Sequence, residues 1–190
     1  IKLGLKNLST SYLKTLTHAG GKLDINSTQK IIEFCKEQGI KFISMYGQTE
    51  ASPRMTYLDW KDYPKKIGSI GKAIPFTEIW LEKDNGVKIQ NPNETGELIF
   101  SGKNVSMGYS NNIKDLIKGD ENKGILKTGD LAYFDNEGYF YIKGRKNRIT
   151  KIFGNRLNLD EIEEKMKEIN IEVFCKEIND KLYVFFEKNF

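Results

Sequence analysis

The stretch from Thr128 to Glu163 constrains this chain more than any other. Thr128-Gly129-Asp130 leads into an apolar run, Leu131 to Phe134; a polar turn, Asp135-Asn136-Glu137-Gly138, follows, and Tyr139 to Ile142 answers it. Two strand-like runs about a glycine-ended turn predict a β-hairpin whose Gly138 supplies the positive φ. Asp130 then stands just before the first strand and Arg145 just after the second. Because a hairpin returns its ends to one place, the carboxylate and the guanidinium are expected as neighbours. A carboxylate accepts two ribose hydroxyls and a guanidinium forks onto phosphate oxygens, so the pair suits a nucleotide. On spacing alone, a surface salt bridge at the hairpin base accounts for it equally well.

Upstream, Leu13, Leu16 and Thr17 lead as a short strand into Ala19-Gly20-Gly21, and paired glycines make a turn or admit a flat ligand. Asn26 or Ser27 is the expected cap of a helix whose buried stripe is Thr28, Ile31, Ile32 and Cys35, ended by Gly39. Lys41 to Met45 reads as a strand, which makes this region α/β. Tyr46-Gly47-Gln48-Thr49-Glu50 follows directly, where ligands of open α/β sheets bind, outside a strand's carboxyl end. The tyrosine face can stack on a base, the threonine hydroxyl can donate to a phosphate, and the glutamate can hold Mg²⁺ that keeps most of its waters. A polar loop with a buried tyrosine is the plainer alternative.

Ser52 to Ser69 reads as loop. Glu78 to Lys83, Val87 to Gln90 and Glu97 to Phe100 read as short strands of a small antiparallel barrel or sheet. Gly96-Glu97-Leu98 and Gly102 through Gly108-Tyr109 read as structural glycines and sheet packing. Asn158, with Glu161 three residues on, caps a second amphipathic helix, and Ile171 to Glu177 and Lys181 to Glu187 form an edge hairpin across Asn179-Asp180.

Composition narrows the chemistry. His18 is the only histidine, against a multi-histidine metal site or a histidine-dependent triad. Cys35 and Cys175 lack any paired spacing and are expected as small buried hydrophobes. The net charge of +4 is spread along the chain without a basic block, so nucleic-acid binding is not expected. No apolar run approaches the roughly 20 residues of a membrane span, and a cytoplasmic location is expected.

These motifs resemble the adenylate-forming (AMP-binding) enzyme superfamily: acyl-CoA synthetases, carrier-protein ligases, the adenylation domains of peptide synthetases and luciferase. The resemblance rests on Tyr46-Gly47-Gln48-Thr49-Glu50, Thr128-Gly129-Asp130, Gly144-Arg145, Lys151, Gly154 and the helix start Glu161-Ile162-Glu163. It runs from Gly20 to the second helix. The fold it implies is the end of a large N-terminal domain, in which residues 1–60 finish an α/β subdomain and 61–144 form an antiparallel β-barrel-like subdomain. Residues 145–190 would start a small, mobile α+β C-terminal lid.

The activity it implies is activation of a carboxylic acid by ATP, as an acyl adenylate, with transfer of the acyl group to coenzyme A, a phosphopantetheinyl carrier protein or another acceptor. By motif, Gly20, Gly21 and Gly47 lie beside the adenine and acyl pocket, Tyr46 stacks on adenine, Thr49 contacts the α-phosphate and Glu50 ligates Mg²⁺. Asp130 accepts the ribose hydroxyls, Arg145 lies beside ribose and phosphate, and Arg156 is on the phosphate side. Asn147 stands at the hinge, where many relatives have Asp or Lys, and Lys151 serves the second half-reaction. The relatives' phosphate loop and final catalytic lysine have no counterpart here. The chain is therefore expected to be part of a longer ligase, with an N-terminal remainder as partner, and inactive alone. The alternative is a non-catalytic nucleotide-binding or partner-binding module from a split gene.

Overall fold

The computed structural model describes residues 12–63, 65–152, 155–179 and 181–186; the side chains of residues 151, 152, 155 and 156 are outside that description. Its first layer is a four-stranded sheet in sequential order. Strand β1 (Thr15–His18) lies parallel to β2 (Lys41–Tyr46), and parallel neighbours need a crossover, which helix α1 (Ile25–Glu37) provides. Asp24 caps α1, its carboxylate accepting from the Ser27 amide, so the helix begins before the expected caps Asn26 and Ser27. Such a cap stabilises a helix by about 1 kcal/mol. The buried stripe holds Thr28, Ile31, Phe34 and Cys35, with Ile32 only partly covered. It packs on Phe42 of β2 and on Ile40, Leu16, Leu23 and Tyr63.

Strand β3 (Thr56–Leu58), inside the stretch expected to be loop, lies antiparallel to β2, and β4 (Lys72–Ala73), just beyond that stretch, completes the sheet antiparallel to β3. The run is too short for its alternation to register, yet Thr56 and Leu58 are buried while Tyr57 faces out. Gly71, at φ +81°, brings the chain so close to β3 that a Cβ there would lie 1.8 Å from the Tyr57 carbonyl oxygen. No other residue fits.

The second layer is an antiparallel meander of β5 (Glu78–Glu82), β6 (Gly96–Ser101), β7 (Ile125–Phe134) and β8 (Phe140–Arg145). Val87 to Gln90 does not make a strand. It returns along β5 through a single bridge, Glu82 to Lys88, which suffices to bury Ile89. Leu81, Leu98, Ala132 and Ile89 form one core cluster, and Phe100, Leu126, Met55 and Ala51 another. Tyr46, at the end of β2, packs against both clusters and so joins the two layers.

The hairpin β7–β8 forms as expected, with Gly138 at φ +77°. Lys66 fastens its turn from outside, with Nζ 2.7 Å from Asp135 Oδ2 and 2.5 Å from Glu137 Oε1. Strand β7 starts at Ile125, so Asp130 lies within the strand rather than ahead of it, and Arg145 is the last residue of β8.

After a 3₁₀ turn at Lys146–Arg148 come β9 (Ile149–Ile152), β10 (Asn155–Asn158), helix α2 (Leu159–Glu168), β11 (Val173–Ile178) and β12 (Lys181–Phe186). The β9–β10 and β11–β12 pairs are separate antiparallel hairpins. Asn158 caps α2 through the Asp160 amide, and Asn158 Nδ2 lies 3.3 Å from Glu161 Oε1. Cys35 and Cys175 are both buried free thiols, as expected.

Candidate functional site

Strand register decides the centre of the site. Along β7, Leu126, Thr128, Asp130 and Ala132 share the buried face, so period-two geometry carries a carboxylate into the core beside apolar neighbours. Asp130 is 4% exposed and therefore needs partners. Arg145 stands directly opposite on β8, and its Nε lies 2.7 Å from Asp130 Oδ1. Tyr46 donates its hydroxyl to Oδ2 at 2.5 Å, and Gln48 Nε2 bridges Oδ2 at 3.0 Å and the Thr128 carbonyl at 2.9 Å. Thr128 completes the support by giving its hydroxyl to Leu98 O and accepting the Asp130 amide.

The hairpin thus joins Asp130 to Arg145, and both to the Tyr46 segment at the end of the first sheet. Burial pushes the Tyr46 hydroxyl well above its ordinary pKa, and the Asp130 charge adds to it, so the group stays a phenol and donates. A carboxylate offers about four lone-pair positions. Two donors occupy Oδ2 and one occupies Oδ1, leaving acceptor capacity on Oδ1 for a hydroxyl. Beside the pair lies a hollow of about 340 Å³ lined by Gly129, Arg145, Lys146 and Asn147. The Arg145 side chain is more than half exposed toward solvent.

Thr49 and Glu50 sit on a 3₁₀ turn, Thr49–Ala51, that follows β2 directly. Thr49 is exposed, and Glu50 is half-buried. The Tyr109 hydroxyl donates to Glu50 Oε1 and, with a smaller pull from Arg145, holds that carboxyl below the usual carboxylate range. Among the described residues no group of three or more His, Cys, Asp and Glu could hold a metal ion. A lone carboxylate fits Mg²⁺ that draws its other ligands from water and phosphate, and does not fit a cation caged by protein.

Gly20 and Gly21 follow β1, next to the end of β2, and among the described residues nothing lies within 4 Å of a Cβ built on either, which leaves room there for a flat ligand. Gly47 differs. A Cβ there would lie 2.4 Å from the Pro53 carbonyl carbon, so its small size is required by the returning chain itself. Asn147 lies in the 3₁₀ turn and is absent from the residues with positive φ. Lys151 and Arg156 are register partners across β9–β10, but their side chains, like Gly154, lie outside the described residues.

Three functional candidates escaped the sequence reading. Gln48 lies inside its motif without an assigned role, and since the acid it bonds, Asp130, is 82 residues away, no local signal points to it. The Gly108-Tyr109 pair reads as sheet packing in the sequence, whereas Tyr109 is 70% exposed and reaches Glu50. Arg148, next to Asn147, binds Asp160, Glu163 and the Cys175 carbonyl at once and ties α2 to β11.

Comparisons with known proteins show which family the chain resembles. The family described as AMP-binding enzyme matches residues 5–110. The 2-succinylbenzoate–CoA ligase of Bacillus subtilis (strain 168) is 33% identical over 133 residues, covering 70% of this chain and 27% of the ligase. Luciferin 4-monooxygenase of Photuris pensylvanica is 36% identical over 156 residues, covering 80% of this chain and 27% of the relative. The solved structure of the Bacillus subtilis O-succinylbenzoate coenzyme A synthetase with ATP and magnesium ion superposes with a TM-score of 0.69 at 28% identity, over 93% of this chain and 37% of that one. The same synthetase with its acyl-adenylate intermediate gives 0.69 at 27% identity. The chain therefore spans 27% of the length of each of these two curated relatives.

Proposed function

The chain belongs to the AMP-binding enzyme family, and from that premise we propose that it carries the ribose-binding and metal-binding side of an ATP-dependent ligase that activates a carboxylic acid as an acyl adenylate. The observation that carries this reading is the buried Asp130, held by Tyr46, Gln48 and Arg145 with acceptor capacity left on Oδ1. In the reaction the substrate carboxylate oxygen bonds to the α-phosphorus of ATP and pyrophosphate departs with the electrons of the broken P–O bond. Such chemistry asks the protein chiefly to position groups and neutralise charge.

Asp130 accepts a ribose hydroxyl on Oδ1, and the exposed edge of the Arg145 guanidinium reaches the phosphate side. The Tyr46 ring fixes the base, and Thr49 donates to the α-phosphate. Glu50 would hold Mg²⁺, which supplies positive charge at the departing pyrophosphate. Gly20, Gly21 and Gly47 border the base and the acyl group. The substrate is a small carboxylic acid and the acceptor a thiol, coenzyme A or a carrier protein; the coenzyme A ligases among the relatives support the first.

Residues from 145 onward act as the lid, turning about Asn147 so that Lys151 serves the acyl transfer, with Arg156 on the phosphate side. What supports a moving lid is the kind of contact that holds it. The Lys146–Asp84 and Lys22–Glu164 ion pairs are exposed and worth little each, and beside these only the Lys146–Glu97 pair of the same lysine has a largely covered carboxylate.

The test is titration of ¹⁵N-labelled chain with AMP. The expected amide shifts centre on Gln48, Gly129, Asp130 and Arg145. Shifts confined to the acidic hollow of Asp160, Glu163 and Glu172, or none at all, would overturn the reading.

A further inference from the structure

We propose that Tyr109 is the positioning residue for the Glu50 carboxylate, holding Oε1 so that Oε2 is aimed at a divalent cation on the nucleotide. The proposal rests on the metal role given to Glu50 above.

The argument starts from the loop that carries Tyr109. Residues 102–110 wrap around the 3₁₀ turn bearing Thr49 and Glu50 and are fixed to it by bonds independent of the tyrosine. The Ser106 amide donates to the Glu50 carbonyl at 2.7 Å, and Asn104 Nδ2 donates to the Ala51 carbonyl at 2.7 Å and the Arg54 carbonyl at 3.2 Å. The loop is anchored from its other side as well, by the Asn122 Nδ2 bond to the Ser106 carbonyl and the Glu121 amide bond to the Met107 carbonyl, both 2.8 Å. Gly108, at φ +137°, then turns the chain so that Tyr109 comes back over Glu50.

An aromatic side chain that is 70% exposed contributes little to a core, so packing does not explain Tyr109. Its one polar atom is spent on Glu50. A half-buried glutamate on a short turn has several rotamers, and a cation that must select one of them binds more weakly. A phenol with only two side-chain torsions, mounted on an anchored loop, fixes the rotamer beforehand. It donates one proton and leaves the second carboxylate oxygen uncovered.

The experiment compares wild type with Tyr109→Phe, which deletes only the hydroxyl. Mn²⁺ affinity in the presence of ATP is read from the free-ion paramagnetic resonance signal, and AMP affinity is measured without metal by calorimetry. The expected result is Mn²⁺ binding weakened about threefold to tenfold, the usual scale for ordering one flexible side chain, with AMP binding unchanged. Equal Mn²⁺ affinity in the two proteins, at any level including none, or tighter binding by the variant, would overturn the proposal. Absence of metal-free AMP binding by wild type would instead count against the nucleotide site itself.

Discussion

Replacing Asp130 by alanine is expected to reduce AMP affinity on the order of a hundredfold, because hydrogen bonds to a charged acceptor contribute about 1.5–3 kcal/mol each and the ribose loses its acceptor. The loss does not stop at the ligand. Tyr46 and Gln48 both give hydrogen bonds to Oδ2, and Arg145 faces Oδ1 across the hairpin, so the substitution leaves three donors without their acceptor in a partly buried place. Asp130→Asn keeps the shape but gives up the charge that holds Arg145 and turns one oxygen into a donor. It should retain the fold better than Asp130→Ala while binding AMP almost as poorly. Calorimetry gives the affinities, and amide spectra of both variants show whether the hairpin persists. Wild-type affinity in either variant would remove Asp130 from the site.

The second large effect is expected at Arg148. Its guanidinium reaches Asp160 Oδ1 at 2.7 Å, Glu163 and the Cys175 carbonyl at 2.8 Å, while its plane lies over the Phe174 ring. Glu163 also accepts the Cys175 amide, so helix α2 and strand β11 are joined through one fork. Arg148→Met removes that fork and leaves two partly buried carboxylates uncompensated, a loss of about 2–3 kcal/mol given their partial exposure. Arg148→Lys should rescue little, since an ammonium cannot span these partners. Hydrogen exchange should quicken throughout α2, β11 and β12 and stay unchanged in β5 to β8. A uniform change, or none, would show that Arg148 does not hold the C-terminal part together.

The hairpin and its acid–base pair were legible because the turn residues and the two apolar runs both point to one register, and register alone puts Arg145 opposite Asp130. The start of β7 was not. Thr128 and Asp130 lie on its buried face, and polar residues in core positions break the apolar alternation by which a strand is read. That hidden stretch is where the site is built. The α1 cap was misplaced for a related reason: Asp24, Asn26 and Ser27 can all cap, and only the Asp24 bond to the Ser27 amide decides among them. Tyr109 shows the limit in another form, since a Gly-Tyr pair reads as packing and nothing local to it reveals a carboxylate from a motif far upstream.

The measurement that bears most directly on the central claim is calorimetric titration of this chain with AMP and with 2′,3′-dideoxy-AMP. If Asp130 is a ribose clamp, AMP binds and the dideoxy nucleotide binds at least about tenfold more weakly, the scale of one lost charge-assisted hydrogen bond. Equal affinity for the two, or no binding of AMP, would contradict the account.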